Sequence, residues 1–111
     1  MSYTVLILDD AEHDLRDIHA YIQNQFSESL ADEIYQEIRD GILLLEDNPD
    51  LGTVIPQLAA LGMINYRHMV VLKKNRVVYE LDKTHELIYV YLICNDRQDY
   101  ETSLRRRVLQ R

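Results

Sequence analysis

The chain has 111 residues and a formal net charge of −7, and its mass of 13.2 kDa suits one compact domain. Hydrophobic residues make up 47% of it and charged residues 28%, with 3 Gly and 2 Pro, which excludes a collagen-like, low-complexity or wholly disordered chain. A sequence pI near 4.9 argues against indiscriminate binding to nucleic acid, because such binding requires clustered Lys and Arg.

Charge is divided unevenly between the two halves of the chain. Residues 1–50 hold 13 acidic and 2 basic residues, whereas residues 51–111 hold 10 basic and 6 acidic ones. Opposite charge attracts a partner and orients it during encounter. The second half is therefore where we expect an acidic partner to bind.

Cysteine content and apolar runs indicate the compartment. Cys94 is the single cysteine, so an internal disulfide is excluded, which fits a reducing compartment. No apolar run approaches the roughly 18 residues of a membrane span, and no basic segment precedes the first apolar run as in a secretory signal. These features predict a cytoplasmic protein.

The first half predicts one strand followed by two helices. Residues 3–8 are apolar and partly β-branched, and they end at two aspartates, which is typical of a strand. Apolar residues then recur at the spacing of one helical face and predict a helix over residues 10–25; they are Ala11, Leu15, Ile18, Ile22 and Phe26. The same spacing resumes at Leu30 and predicts a second helix to about Asp47, before Pro49. Because the link is short, the helices form an antiparallel hairpin.

The second half predicts a structured loop, three strands and a terminal helix. Residues 49–64 contain Pro and Gly but keep no period. Three strand-like runs follow at residues 66–72, 76–81 and 87–94. Their short connections predict an antiparallel meander, and the near-continuous apolar character of the last run predicts a central strand. The tail repeats its apolar residues at helical spacing, at Tyr100, Leu104 and Val108.

This order of elements predicts an α+β fold. In the order β-α-α-β-β-β-α, an N-terminal helical hairpin packs on a four-stranded, mainly antiparallel sheet, and a short C-terminal helix ends the chain. Residues 1–111 form a single domain. Gly41 lies inside the second helix, where it weakens the helix by about 1 kcal/mol relative to Ala, so we expect a close backbone contact there.

Candidate acid/base and cationic side chains lie in the second half of the chain. They are Arg67, His68, Arg76, Glu80, Arg97 and Tyr100. Arg67 and His68 are neighbours in a strand and point to opposite sides, and the simplest interpretation of His68 is an exposed strand residue. Arg76 and Glu80 lie four apart on one strand, which favours a salt bridge. We find no metal-ligand spacing and no cofactor motif.

Several strings, in this order, resemble the RelE/ParE superfamily of bacterial type II toxins, in particular its ParE-like branch, over nearly the whole chain. They are residues 11–18 with Tyr21-Ile22, residues 45–52 with Pro56, Tyr66-Arg67, residues 78–80 and residues 93–99. The resemblance implies a small toxin that a cognate antitoxin neutralises. That antitoxin is ParD-like and itself binds DNA, and its flexible C-terminal segment wraps the sheet and helices of the toxin.

The resemblance leaves two activities to distinguish. RelE-like members cleave messenger RNA on the ribosome with basic residues and often a C-terminal His or Tyr, whereas ParE-like members inhibit DNA gyrase. Asn95 stands where many relatives place His, and the overall charge is acidic, so the ParE-like activity is favoured. The alternatives are a ribosome-dependent mRNA endoribonuclease that uses Arg67, Arg97 and Tyr100, and a degenerate, non-toxic member that still binds antitoxin.

We predict two partner-binding surfaces and no catalytic residue, cofactor or metal. An acidic antitoxin segment that folds on binding contacts Arg67, Arg76, Tyr79 and Arg97. DNA gyrase contacts the terminal helix through Tyr100, Leu104, Arg105, Arg106 and Arg107. The three arginines are expected to face solvent, where they also complement the helix dipole, and loss of residues 100–111 is expected to leave a folded core. We expect no membrane or direct nucleic-acid binding; a homodimer and a toxin–antitoxin hetero-oligomer both remain open.

Overall fold

The fold begins with a short strand and a helical hairpin, as predicted. The computed structural model of the chain describes residues 2–96 and 98–110. Ser27 caps the second helix, because its hydroxyl accepts a hydrogen bond from the Leu30 amide at 3.1 Å. In chain order the elements are β1 (Thr4–Ile7), α1 (Asp9–Gln25), α2 (Glu28–Leu43), a 3₁₀ turn (Leu44–Glu46), β2 (Thr53–Val54), α3 (Pro56–Ala59), β3 (Tyr66–Val71), β4 (Asn75–Asp82), β5 (Leu87–Asn95), α4 (Tyr100–Leu104) and a π-helical turn (Arg105–Leu109).

The strands form one mixed sheet in the order β1-β5-β4-β3-β2. β1 runs parallel to β5, and the other neighbours are antiparallel. The predicted α+β class, the meander and the central position of β5 are confirmed. The predicted count of four strands is wrong, because β2 pairs Thr53 with His68 inside the segment expected to be a loop, and two residues are too few to show a period.

Different helices cover the two faces of the sheet. The α1–α2 hairpin packs on one face around Leu15, Ile38 and Tyr79, which are fully buried. On the other face, α3 and α4 bury Leu58 and Leu104 against β4 and β5. We call these the hairpin face and the C-terminal face. Among the described residues, no helix is long and apolar enough to cross a membrane.

A bulge in β5 lies next to the point where β1 ends. Val78 of β4 pairs with Leu92 and Tyr79 pairs with Val90, so the register skips Tyr91. As a result, both Tyr91 and Leu92 pack on the C-terminal face. The last residue of β1 is paired with Val90, and beyond that point no strand among the described residues pairs with β5 on this side.

Gly41 marks a close approach of α2 to the sheet, as expected from its position in a helix. A Cβ atom at this position would lie 3.1 Å from Cγ1 of Val71 on β3. That distance is tighter than an ordinary van der Waals contact, but the neighbour is a side chain that can shift. The glycine therefore allows α2 to pack closely on β3 without being strictly required.

Candidate functional site

Two of the predicted antitoxin contacts hold the loop between α2 and β2. Tyr79 is fully buried; its hydroxyl donates to the Pro49 carbonyl and accepts from the Gly52 amide, both at 2.9 Å. Arg67, paired with Tyr79 across the β3–β4 ladder, donates from Nη1 to the Gly52 carbonyl at 2.7 Å and lies 3.4 Å from Asp50. Burial raises the pKa of Tyr79, which keeps its hydroxyl proton in place as the donor to Pro49.

These contacts give both side chains a structural role in the free protein. Tyr79 has no exposed surface and fastens the loop, and its contact with antitoxin stays a prediction. Arg67 has its guanidinium bound to the same loop, with 22% of its side chain exposed. Sequence reasoning did not separate them from surface residues, because both lie on a strand beside polar neighbours.

Three side chains from β3, β4 and α4 meet on the C-terminal face. The Arg76 guanidinium carbon lies 4.1 Å from the centroid of the Tyr100 ring. The His68 ring stacks on the Tyr100 ring at a centroid distance of 6.3 Å, and the Tyr100 hydroxyl lies 3.4 Å from His68 Nδ1. Burial and the Arg76 charge lower the pKa of His68, and burial raises the pKa of Tyr100. We call this group the His68 cluster.

The His68 cluster overturns two expectations. His68 is not a solitary exposed strand residue, since it is half-buried against Tyr100. The predicted salt bridge between Arg76 and Glu80 is also wrong. Glu80 instead accepts hydrogen bonds from Asn65 Nδ2 at 2.9 Å and from the Tyr91 hydroxyl at 2.8 Å, while Arg76 turns toward α4.

The predicted ribonuclease residues are not brought together. Arg67 lies over Tyr79 on the hairpin side of the sheet, whereas Tyr100 packs on the C-terminal face. The alternation of side chains along β3 explains this, because His68 and not Arg67 points toward Tyr100. Arg97, predicted for both the antitoxin and the ribonuclease sets, lies outside the described residues.

The C-terminal segment, residues 99–110, is part of the core. Asp99 caps α4 by accepting from the Thr102 amide at 3.2 Å and from the Thr102 hydroxyl at 2.7 Å. Leu104 is 3% exposed and Val108 is 6% exposed, both on the C-terminal face. Leu104 therefore has a packing role in the free protein, and Tyr100 is half-buried beside it; their contact with gyrase stays a prediction.

The three arginines of this segment do not share one environment. Arg105 and Arg106 are exposed, as predicted. Arg107 instead binds Asp14 of α1, with Nη2–Oδ1 at 2.7 Å and Nη1–Oδ2 at 2.9 Å. This hydrogen-bonded pairing raises the pKa of Arg107. The expected solvent position is wrong for Arg107, because a carboxylate distant in sequence lies buried beneath it.

An apolar groove at the connected end of the hairpin, where α1 passes into α2, was not predicted. It encloses a cavity of about 370 Å³ between the helices and the β3–β4 turn, with Lys74 and Asp96 also in its lining. Its apolar lining consists of Ile18, Tyr21, Ile22, Phe26, Leu30, Ile34 and Leu72. Phe26 is 69% exposed and Leu72 is 40% exposed. The signal was present in the sequence, since the apolar helical face continues as far as Phe26.

Metal chemistry finds no support in the described part of the chain. Over residues 2–96 and 98–110, no group of three or more His, Cys, Asp or Glu side chains could hold a metal ion. The described residues offer other features for function, among them the apolar groove, the His68 cluster and the exposed arginines of the C-terminal segment.

Comparison with known proteins identifies the family. The P. aeruginosa chromosomal ParDE system contains a chain 14% identical in sequence, with a TM-score of 0.69 over 85% of this chain and 96% of that one. A doubly substituted E. coli toxin RelE in the free state is 12% identical, with a TM-score of 0.61 over 97% of this chain and 99% of that one. The TM-scores show a shared fold despite the low identities, and no curated protein matches the chain. Residues 5–100 match the model of the ParE toxin of the type II toxin–antitoxin system parDE, so the chain belongs to the ParE toxin family.

Proposed function

We propose that this protein is a toxin that inhibits DNA gyrase and that a ParD-like antitoxin neutralises it. The observation that carries the proposal is the match of residues 5–100 to the ParE toxin model. The P. aeruginosa structure supports it, because that protein belongs to a ParDE toxin–antitoxin system. The separation of Arg67 from Tyr100 by the sheet also argues against the predicted ribonuclease site.

Gyrase is expected to meet the exposed part of the C-terminal segment. Arg105 and Arg106 are adjacent, exposed cations, and Leu109 next to them is 44% exposed. An apolar side chain beside two cations can anchor a protein surface and orient it by charge. Leu104 and Arg107 support this surface from beneath.

The antitoxin is expected to occupy the apolar groove. Its exposed phenyl and leucine side chains, Phe26 and Leu72, offer the surface that an amphipathic helix buries when it binds in a groove. Lys74 and Asp96 in the lining offer one charge of each sign to polar residues at the edge of that helix. Arg76, which is half-buried over Tyr100, stays a predicted antitoxin contact. It lies just after the β3–β4 turn that borders the groove.

The experiment combines a DNA supercoiling assay with the product of the neighbouring reading frame. Purified protein is expected to inhibit supercoiling by gyrase, and equimolar antitoxin is expected to restore it. Phe26→Asp is expected to inhibit normally but to bind antitoxin about tenfold or more weakly, because a buried phenyl group contributes about 1.5–3 kcal/mol.

Leu61→Asp is the matched control for this test. Leu61 is also a highly exposed apolar side chain, at 63%, but it does not line the groove. The Leu61→Asp variant is expected to keep both its inhibition of gyrase and its affinity for antitoxin unchanged. Supercoiling at the normal rate in the presence of the wild-type protein would contradict gyrase inhibition, whereas full antitoxin affinity of Phe26→Asp would contradict the groove as its binding site.

A ribosome-dependent mRNA endoribonuclease is the second candidate, and the His68 cluster is the observation that favours it. The lowered pKa of His68 leaves the imidazole neutral near pH 7, as a general base requires. Arg76, whose guanidinium carbon lies 4.1 Å from the centroid of the Tyr100 ring, is a cation that could stabilise charge on a phosphate. In this set, His68 and Arg76 lie against Tyr100 and take the place of the predicted Arg67.

We expect no messenger RNA cleavage in a translating ribosome assay with the wild-type protein. The reason is that a single cation in the described cluster offers little stabilisation of developing phosphate charge. Cleavage that is lost in His68→Ala and kept in His85→Ala would reverse the assignment. His85 is a suitable control, since it lies in the exposed β4–β5 turn with Asp82 as its partner at 2.9 Å.

A further inference from the structure

The buried carboxylate of Asp14 is fully engaged by groups far from it in sequence. It is 6% exposed. Besides the two guanidinium hydrogen bonds from Arg107, its Oδ2 accepts from the Ile93 amide at 2.9 Å. Arg107 Nη1 also donates to the Tyr91 carbonyl at 3.0 Å. Helix α1, strand β5 and the C-terminal segment therefore meet at one ion pair.

This ion pair binds the part of the β5 edge that β1 does not cover. β1 ends opposite Val90, so the Tyr91 carbonyl and the Ile93 amide lie beyond its reach on that edge of β5. Buried backbone groups need hydrogen-bond partners. Arg107 binds the carbonyl and Asp14 binds the amide, so the two side chains complete the edge at the bulge.

The geometry of this contact fixes orientation as well as distance. A bidentate guanidinium–carboxylate pair is planar and directional, whereas the apolar anchors Leu104 and Val108 pack without a preferred angle. Arg107 lies in the same π-helical turn as Arg105 and Arg106. Its direction toward α1 therefore sets the direction in which the two exposed arginines point.

We infer that Asp14 is a positioning residue that, through Arg107, holds the C-terminal segment in the orientation in which Arg105 and Arg106 contact a partner. The inference rests on the proposed function for the identity of that partner, gyrase. It assigns a role in target binding to Asp14, a residue of the helical hairpin that does not itself belong to the proposed gyrase-binding surface.

The test removes the directional contact in two ways: Arg107→Lys keeps the positive charge, and Asp14→Asn removes the negative charge of the carboxylate. In Arg107→Lys and in Asp14→Asn, we expect hydrogen exchange of the Ile93 amide and of amides 104–109 to rise about tenfold or more, because the segment opens locally. Exchange of the Leu15 and Ile38 amides in the hairpin should not change. Inhibition of gyrase should weaken by about tenfold, the effect of losing one well-oriented contact.

Arg39→Lys is the matched control. Arg39 binds Glu12 of α1 at 2.8 Å and is 31% exposed, comparable with the 23% of Arg107. It makes the same chemical change in another ion pair of α1, and we expect neither readout to move.

Four outcomes distinguish the interpretations. Unchanged exchange at Ile93 and residues 104–109 in Arg107→Lys would overturn the positioning role, and so would exchange that rises equally in the hairpin, because the pair would then be a general stabiliser. Normal gyrase inhibition by a variant with a loosened segment would overturn it too. If the wild-type protein fails to inhibit gyrase, the proposed target is wrong, while the exchange measurement still decides whether Asp14 orients the segment.

Discussion

Gly52→Ala is expected to lower the free energy of unfolding by about 3 kcal/mol or more, at the upper end of the effect of overpacking. A Cβ atom at this buried position would lie 2.7 Å from the His68 carbonyl oxygen and 2.9 Å from the Tyr79 hydroxyl. Neither atom can yield, since one belongs to the β3 backbone and the other is fixed by two hydrogen bonds. The added methyl group would also displace the Gly52 carbonyl from Arg67. Urea unfolding followed by circular dichroism measures the loss.

Two further variants separate the causes. Gly41→Ala is the matched control: its new methyl group would meet the side chain of Val71 at 3.1 Å, and the gain in helix propensity of about 1 kcal/mol offsets the crowding, so we expect little change. Tyr79→Phe removes the hydroxyl alone and leaves the Gly52 amide buried without its acceptor, which costs about 1–3 kcal/mol. Wild-type stability of Gly52→Ala would show that the loop is not held in this way.

The elements that the sequence predicts well are those whose pattern extends over several turns or residues. The apolar spacing from Ala11 to Phe26 matches α1 within one residue, and the apolar run of β5 indicates its central position. β2 and α3 were missed because they contain two and four residues, too few to repeat a period of about 2 or 3.6 residues. The second helix was predicted to reach Asp47, whereas the α-helix ends at Leu43 and a 3₁₀ turn follows.

The environments of the functional side chains could be predicted less well. A run of three arginines near a chain end reads as a solvent-facing surface, and two of them do face solvent. Arg107 differs because Asp14 lies 93 positions away in sequence, and no local pattern connects them. Tyr79 is similar: its partners Pro49 and Gly52 come from a loop without a period. Conversely, the periodicity predicts an apolar helical face that reaches Phe26, but only the structure shows that the sheet leaves this side chain exposed.

Truncation of the C-terminal segment is expected to unfold the protein, because burial of Leu104 and Val108 argues against the folded core that the sequence led us to expect. Deleting residues 100–111 removes Leu104 and Val108, each worth about 1.5–3 kcal/mol of apolar burial. It also leaves Asp14 buried without its cation, which costs about 3–5 kcal/mol. Because whole domains are stable by about 5–15 kcal/mol, the truncated protein is expected to be largely unfolded by circular dichroism. A cooperative melt near the wild-type temperature would contradict the core role of the segment.

Charge reversal tests the contact surface without that loss of stability. Arg105→Glu combined with Arg106→Glu changes two exposed side chains, so the melting temperature is expected to stay close to that of the wild type while inhibition of supercoiling weakens about tenfold or more, as for close charge pairs across an interface. Lys73→Glu with Lys83→Glu alters the net charge equally at two other exposed positions and is expected to inhibit normally. Arg107→Glu is expected to lower the melting temperature, since it places a second carboxylate against Asp14. Undiminished inhibition by the folded Arg105/Arg106 variant would remove both arginines from the gyrase contact and leave them a role in the helix dipole and solubility.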